Sequence, residues 1–158
     1  MFEKFGFFKS TDELNKAAAG LEAEGDYDSL YELAKENGIA KEDAEDYIAG
    51  DVDALATEAS AALGRVDLYE KAAKSAPMKV ICTMIRIMIA SDEAVRAAVM
   101  AEGKDPAKIL KAMEEGARKH KNGNVGASCG TDRQLMQIIK AFYTEDAEGL
   151  KKRIEALY

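Results

Sequence analysis

The fold is decided by the longest apolar stretch of the chain, Pro77-Met78-Lys79-Val80-Ile81-Cys82-Thr83-Met84-Ile85-Arg86-Ile87-Met88-Ile89-Ala90. Its three polar side chains are spaced i, i+4 and i+7, which places Lys79, Thr83 and Arg86 on one stripe of a helix. The rest of the circumference is apolar, so the stretch predicts a central helix that other elements surround. The many β-branched residues would also suit a buried strand, but no second strand-like run is available to pair with it.

The polar stripe leaves two arrangements open. If the stripe is exposed, the helix lies at the edge of the bundle and its charges are solvated. If it is covered, Arg86 needs a carboxylate partner, which we expect from the acidic N-terminal helices. The stretch is too short and too charged to cross a bilayer, so no membrane partner is expected.

Composition favours one globular helical domain. The chain has 158 residues, 47% of them hydrophobic, and only two prolines, Pro77 and Pro106. A chain of this length can bury a sizeable core without a metal or a disulfide. We therefore predict an all-α single domain, residues 1–158, built as a bundle of seven or eight short helices around residues 77–90.

The net charge of −7 is unevenly distributed. Residues 1–63 carry 16 Asp and Glu against 5 Lys and Arg, whereas residues 64–158 carry 13 against 17. This predicts an acidic N-terminal part and a basic C-terminal part. A basic region can bind nucleic acid and an acidic region can bind a basic protein groove, although a solvated surface explains the pattern equally well.

Two cysteines, Cys82 and Cys129, have neither a metal-ligand spacing nor a CxxC spacing. Both are typical of unpaired thiols in a reducing compartment. The first ten residues, MFEKFGFFKS, lack the apolar core of a secretory signal, so we expect a cytoplasmic protein. Their phenylalanine rings are expected to fix the terminus to the core.

Capping and stop signals predict the helix boundaries. Capping boxes start helices at Ser10 and Thr131, Asp26 starts another, and Asp105-Pro106 starts one that reaches about Lys121. The helix that starts at Ser10 is predicted to end near Gly25, and the one that starts at Asp26 is predicted to end at Asn37-Gly38. The remaining predicted helices span residues 41–49, residues 51–63 with a stop at Gly64, residues 66–75, residues 92–102 with Ser91 as the cap, and a final stretch that begins at the cap Thr144.

The loop at residues 122–130, NGNVGASCG, separates two predicted helices. Its glycines precede a helix N-terminus but match neither a P-loop nor a dinucleotide-binding fingerprint, so a hinge is the favoured interpretation. His120 is the single histidine, which excludes multi-histidine metal sites. Its cationic neighbours are unsuitable for a general base, and we interpret it as a surface residue.

Two charged sets are candidate interaction faces. The acidic set comprises Glu42, Asp43, Glu45, Asp46, Asp51 and Asp53, and it does not follow the order of an EF-hand loop. It is either an exposed helix face or an array of carboxylates that resembles phosphates and occupies a DNA-binding groove. The basic set comprises Lys104, Lys108, Lys111, Arg118, Lys119 and Lys121, of which the first three are spaced as on one helix face. Such a face would bind phosphates without sequence specificity.

Several stretches resemble a known group of proteins: the opening MFEKFG, residues 33–48, Ser91-Asp-Glu-Ala-Val95, Ala107-Lys-Ile-Leu110 and Tyr143-Thr-Glu-Asp146. The chain is similar to PcfK-like proteins and to Cas9-inhibitor (anti-CRISPR) proteins encoded on phages and conjugative elements of gut bacteria. The resemblance covers about two-thirds of the chain, and its residues are helix caps and core positions, so no residue-level role transfers with it.

The resemblance implies inhibition of a Cas9-type effector by non-catalytic binding, in the cytoplasm of a bacterial host. The alternative is a DNA-binding accessory protein of conjugation or phage replication, with double-stranded DNA as its partner. Neither function requires a cofactor, a metal or a catalytic residue, and we do not expect an enzyme.

Overall fold

The computed structural model describes residues 4–121 and 130–158. Within these ranges the chain forms nine helices and no strand: α1 (Thr11–Glu24), α2 (Tyr27–Glu36), α3 (Lys41–Ala49), α4 (Glu58–Ala72), α5 (Ala76–Ser91), α6 (Glu93–Ala98), α7 (Ala107–Lys119), α8 (Asp132–Thr144) and α9 (Ala147–Glu155). The all-α single-domain prediction is confirmed, with nine helices instead of seven or eight. None of the described helices has the length and apolarity needed to span a membrane.

Side-chain caps start several helices where the sequence predicts them. Ser10, Asp26 and Thr131 each accept a backbone N–H from the first turn of the helix that follows. Two predicted caps are wrong. Asp92 caps α6 in place of Ser91, and Asp146 caps α9, because Thr144 is still the last residue of α8. The predicted loop at 122–130, apart from Gly130, and Cys129 lie outside the described residues.

The region around Gly64 differs from its prediction. Residues 51–57 are not helical, and α4 begins after the cap Thr57 and continues through Gly64 without a break. Gly64 is buried where α4 lies directly against the turn at Asn37 and Gly38. The glycine therefore serves a close backbone contact and does not end a helix.

Two hydrophobic clusters form the core. The larger cluster joins α5 to α4 and α6–α9, and the smaller one joins α1–α3 to Leu55, Ala56 and Met100. Helix α4 contributes to both, since Ala61 lies in the smaller cluster and Ala62 in the larger one. The apolar helix is thus central to the larger cluster only.

Residues 4–9 are fixed to the core, and Phe5 and Phe8 pack against the smaller cluster as expected, whereas Phe7 is exposed. The carboxylate of Glu36 accepts three successive backbone N–H groups, from residues 4–6, at 2.6–3.1 Å. Burial opposes ionisation of Glu36, but these donors outweigh it and hold its pKa below the ordinary value. Arg65 donates from Nη2 to the Phe8 carbonyl at 2.8 Å and lies over the Phe7 ring at 4.0 Å.

The polar stripe of α5 is partly covered. Lys79 and Thr83 are exposed, whereas Arg86 donates from Nε and Nη2 to Asp67 Oδ1, at 3.0 and 2.6 Å, and from Nη2 to Glu70. These carboxylates raise the pKa of Arg86 further above its ordinary value. Both partners belong to α4, so the expectation that residues 1–63 supply them is wrong.

Replacing Arg86 with methionine is expected to lower the free energy of unfolding by about 1 kcal/mol, because the pair is partly exposed and methionine keeps the apolar contacts. Urea unfolding measures the loss. Lys79→Met is the matched control on the same helix and should have little effect. Equal losses in both variants would contradict a stabilising role of the ion pair.

The same variant should respond less to acid. In the wild-type protein, the hydrogen bond from Arg86 lowers the pKa of Glu70. The stability that this bond contributes is present above the pKa of Glu70 in the unfolded chain, and it is lost as the pH falls through the lower pKa of Glu70 in the folded protein. We therefore expect the difference between wild type and Arg86→Met to shrink between about pH 7 and about pH 3.

Candidate interaction surfaces

The acidic set lies on the solvent side of α3 and the segment that follows it. Ala44 is buried and Tyr47 and Ile48 are half-buried, so this apolar stripe faces the smaller cluster. The carboxylates occupy the opposite side of the helix and the next turn, and all are exposed: Glu42, Asp43, Glu45, Asp46, Asp51 and Asp53. We call these six residues the acidic surface.

The segment after α3 is held in place at both ends. Gly50 adopts the left-handed conformation (φ 78°), and the N–H of Asp51 donates back to the Asp46 carbonyl at 2.9 Å. At the far end, Asn15 donates to the Ala56 carbonyl at 2.8 Å and accepts the Ala56 N–H at 3.0 Å. The carboxylates of Asp51 and Asp53 therefore project from an anchored loop.

Few of these charges are neutralised within the protein. Glu45 pairs with Lys41, and the other five carboxylates have no ion-pair partner among residues 4–121 and 130–158. Charges without internal partners remain available to an external one. The acidic surface therefore offers a concentrated negative charge to a basic partner.

A shallow depression adjoins the acidic surface. It has a volume of about 220 Å³, and its lining includes Asp43, Asp46, Val52, Leu55 and Thr57. The side chain of Val52 is 44% exposed, so an apolar contact lies beside two carboxylates. This combination suits an arginine or lysine side chain, whose apolar stem and charged head need different surroundings.

The basic set is less coherent than predicted. Lys104 does not share a helix face with Lys108 and Lys111, because α7 begins only at Ala107. Its ammonium donates to the Phe142 carbonyl at 2.5 Å, and burial lowers its pKa. Lys108 likewise donates to the Gly103 carbonyl, at 2.8 Å. Two of the six predicted phosphate ligands are therefore already bonded to backbone oxygens.

The other members of the basic set are exposed. Lys111, Arg118 and Lys119 lie on the outer side of α7, and Lys121 follows the end of the helix. Glu114 and Glu115 are exposed on the same helix. A shallow groove of about 210 Å³ between α7 and α9 has Lys119 and Lys151 but also Glu115 and Glu155 in its lining. The local charge is mixed.

Lys151 was not among the predicted basic residues. The run Lys151-Lys152-Arg153 in α9 was the signal from which these basic residues could have been predicted, and all three side chains are exposed.

The single histidine is also near α9. Its ring stacks on Tyr158 with centroids 4.4 Å apart, and Nε2 lies 2.6 Å from Glu155 Oε2. His120 is exposed, as predicted, and joins the end of α7 to the C-terminal residues.

Within the described ranges, no cluster of three or more His, Cys, Asp and Glu side chains has the arrangement of a metal site. Cys82 is a buried free thiol, and burial raises its pKa. Its role is packing in the larger hydrophobic cluster.

No family model, no curated protein and no solved structure matches this chain.

Proposed function

We propose that this protein inhibits a Cas9-type CRISPR effector by non-catalytic binding through the acidic surface. The observation that carries the proposal is the set of exposed carboxylates on α3 and the following loop, five of them without an ion-pair partner in the described residues. The resemblance to Cas9-inhibitor proteins supports the same conclusion, since it covers residues 33–48 and thus most of α3.

The chemistry of the partner fits this surface. Cas9-type effectors hold nucleic acid in positively charged channels and read the PAM with arginine side chains. A row of carboxylates presents the same sign of charge as a phosphate backbone and competes for those cations. Binding of this kind requires neither a reaction nor a cofactor, and its rate of association falls with added salt.

The depression next to Val52 gives the proposal a specific contact. An arginine of the effector would place its stem on Val52 and its guanidinium between Asp43 and Asp46. Because both carboxylates project from one short helix, their spacing is fixed before binding. Such preorganisation reduces the entropy that binding costs.

The alternative function, a DNA-binding accessory protein, relies on the basic set. It is less well supported, since Lys104 and Lys108 donate to backbone carbonyls and Glu114 and Glu115 interrupt the remaining cations. The exposed residues of α7 and α9 are where duplex DNA would bind in that case.

The decisive experiment combines a pull-down with a cleavage assay. The purified protein is mixed with a Cas9-type effector, with and without guide RNA, and target cleavage is measured in parallel. We expect co-purification that weakens with salt, together with inhibited cleavage. No association and unimpaired cleavage would reject the proposal. Salt-sensitive binding to duplex DNA in the absence of the effector would favour the alternative.

A further inference from the structure

One face of α5 is apolar and exposed. Its residues follow one another at intervals of four, three, four and three: Ala76, Val80, Thr83, Ile87 and Ala90, and all five are exposed. Val80 retains 47% and Ile87 49% of its accessible surface, although both belong to the most apolar stretch of the chain. We call these five residues the α5 seam. Its spacing keeps all of them on one side of the helix.

The seam contains little polar surface that would resist burial. The Thr83 hydroxyl donates to the Lys79 carbonyl of its own helix at 3.0 Å. It is therefore already satisfied and needs no water, so covering it leaves no unpaired donor. The alanines at both ends leave backbone close to the surface, which permits a second helix to approach.

We propose that the α5 seam pairs with the α5 seam of a second copy of this chain, in antiparallel orientation across a two-fold axis close to Thr83. The residue types are nearly symmetric about this point, with a β-branched residue and then an alanine on either side. A two-fold axis places Ala76 opposite Ala90 and brings Val80 level with Ile87 to within one residue, about 1.5 Å along the helix.

Charge on one flank supports the antiparallel orientation. Lys79 lies beside the seam on the side of α4, and Asp67 and Glu70 lie near Arg86, about two turns further along α5. Antiparallel pairing brings Lys79 of one copy level with these partly exposed carboxylates of the other. A parallel pair would place the α4 flanks of the two copies on opposite sides of the interface, so Lys79 would lie far from the partner's carboxylates and this attraction would be absent.

The interface is small, and its affinity should be correspondingly low. One pair of helices of this length falls at the lower end of the area of specific interfaces, so we expect a micromolar dissociation constant. Sedimentation velocity over a range of protein concentrations should show a monomer–dimer equilibrium. A monomer at every concentration into the millimolar range would overturn the proposal.

Two substitutions test the surface. Val80→Glu and Ile87→Glu should each weaken the dimer at least about tenfold, because each dimer would then bury two carboxylates against apolar side chains. Both positions are half exposed, so circular dichroism and thermal unfolding should show an intact fold. Tyr27→Glu on α2, also at an exposed position, is the matched control and should leave the dimer unchanged. A dimer unaffected by the two seam variants would place the contact elsewhere and overturn the proposal.

Cysteine cross-linking tests the orientation. In a background with Cys129 replaced by serine, Ala76→Cys and Ala90→Cys are prepared separately and then mixed under oxidising conditions. Antiparallel pairing predicts a cross-linked dimer from the mixture and little from either variant alone. Cross-linking of each variant with itself would indicate a parallel pair and contradict the proposed two-fold axis.

Discussion

Replacing Gly64 with alanine is expected to lower the free energy of unfolding by about 2 to 3 kcal/mol. A Cβ atom at this position would lie 2.6 Å from the Gly38 carbonyl oxygen and 2.8 Å from that of Asn37. Both obstacles are backbone atoms, which cannot rotate away as a flexible side chain can. The variant must therefore separate α4 from the turn after α2, at the boundary between the two hydrophobic clusters.

The control for this prediction is Gly20→Ala in α1. Gly20 is also inside a helix, but nothing lies within 4 Å of an added Cβ. Alanine has the higher helix propensity, so this variant should be more stable than wild type by about 0.5 to 1 kcal/mol. Chemical denaturation of both variants separates the two effects, since propensity alone predicts a gain at both positions. A gain at Gly64 would contradict the close contact.

Gly64 also illustrates why the sequence failed to predict this region. Helix caps are local, so Ser10, Asp26 and Thr131 could be recognised from residues within one turn. The contact between Gly64 and Gly38 is not local, and a glycine inside a helix has the same appearance in the sequence as one that ends it. Gly64 was therefore predicted to end a helix, whereas its role in the structure is to allow α4 to lie directly against the turn at Gly38.

The exposed face of α5 could not be predicted for a related reason. When a helix is apolar on most of its circumference, its own pattern does not reveal which side its neighbours leave open. Arg86 faces α4 and is partly covered, whereas Val80 and Ile87, which are apolar, are about half exposed. Packing with α4, α7 and α8 decides which side of α5 remains exposed. These contacts join α5 to other helices, so the sequence of α5 alone does not reveal them.

The two candidate surfaces differ in how far the sequence predicted them. The stripe of Ala44, Tyr47 and Ile48 correctly places the α3 carboxylates toward solvent. The apolar contact at Val52 was missed, because the segment around it was predicted as helix. The sequence did contain the signal that separates Lys104 from the other basic residues. Asp105-Pro106 predicts a helix that starts after Lys104, so the interval of four residues between Lys104 and Lys108 does not place them on one helix face.

Reversing two charges of the acidic surface is expected to abolish most of the proposed inhibition. In a variant with Asp43→Lys and Asp46→Lys, the depression beside Val52 would repel the arginine that we propose it binds. Loss of a close charge pair and addition of a repulsive one should weaken binding to the guide-loaded effector about 100-fold or more. Competition binding and cleavage assays would measure this, and the inhibitor concentration needed for half-maximal effect should rise in parallel.

A second double variant provides the matched control. Lys111→Glu with Arg118→Glu also changes two exposed charges on one helix, but on α7 and with the opposite sign. Inhibition should remain close to wild type if the acidic surface binds the effector. Both pairs are exposed, so unchanged thermal unfolding should exclude misfolding as the cause of any loss. If the α7 variant loses function and the α3 variant keeps it, the acidic surface is not the binding site, and the basic residues of α7, with nucleic acid as their natural ligand, become the better explanation.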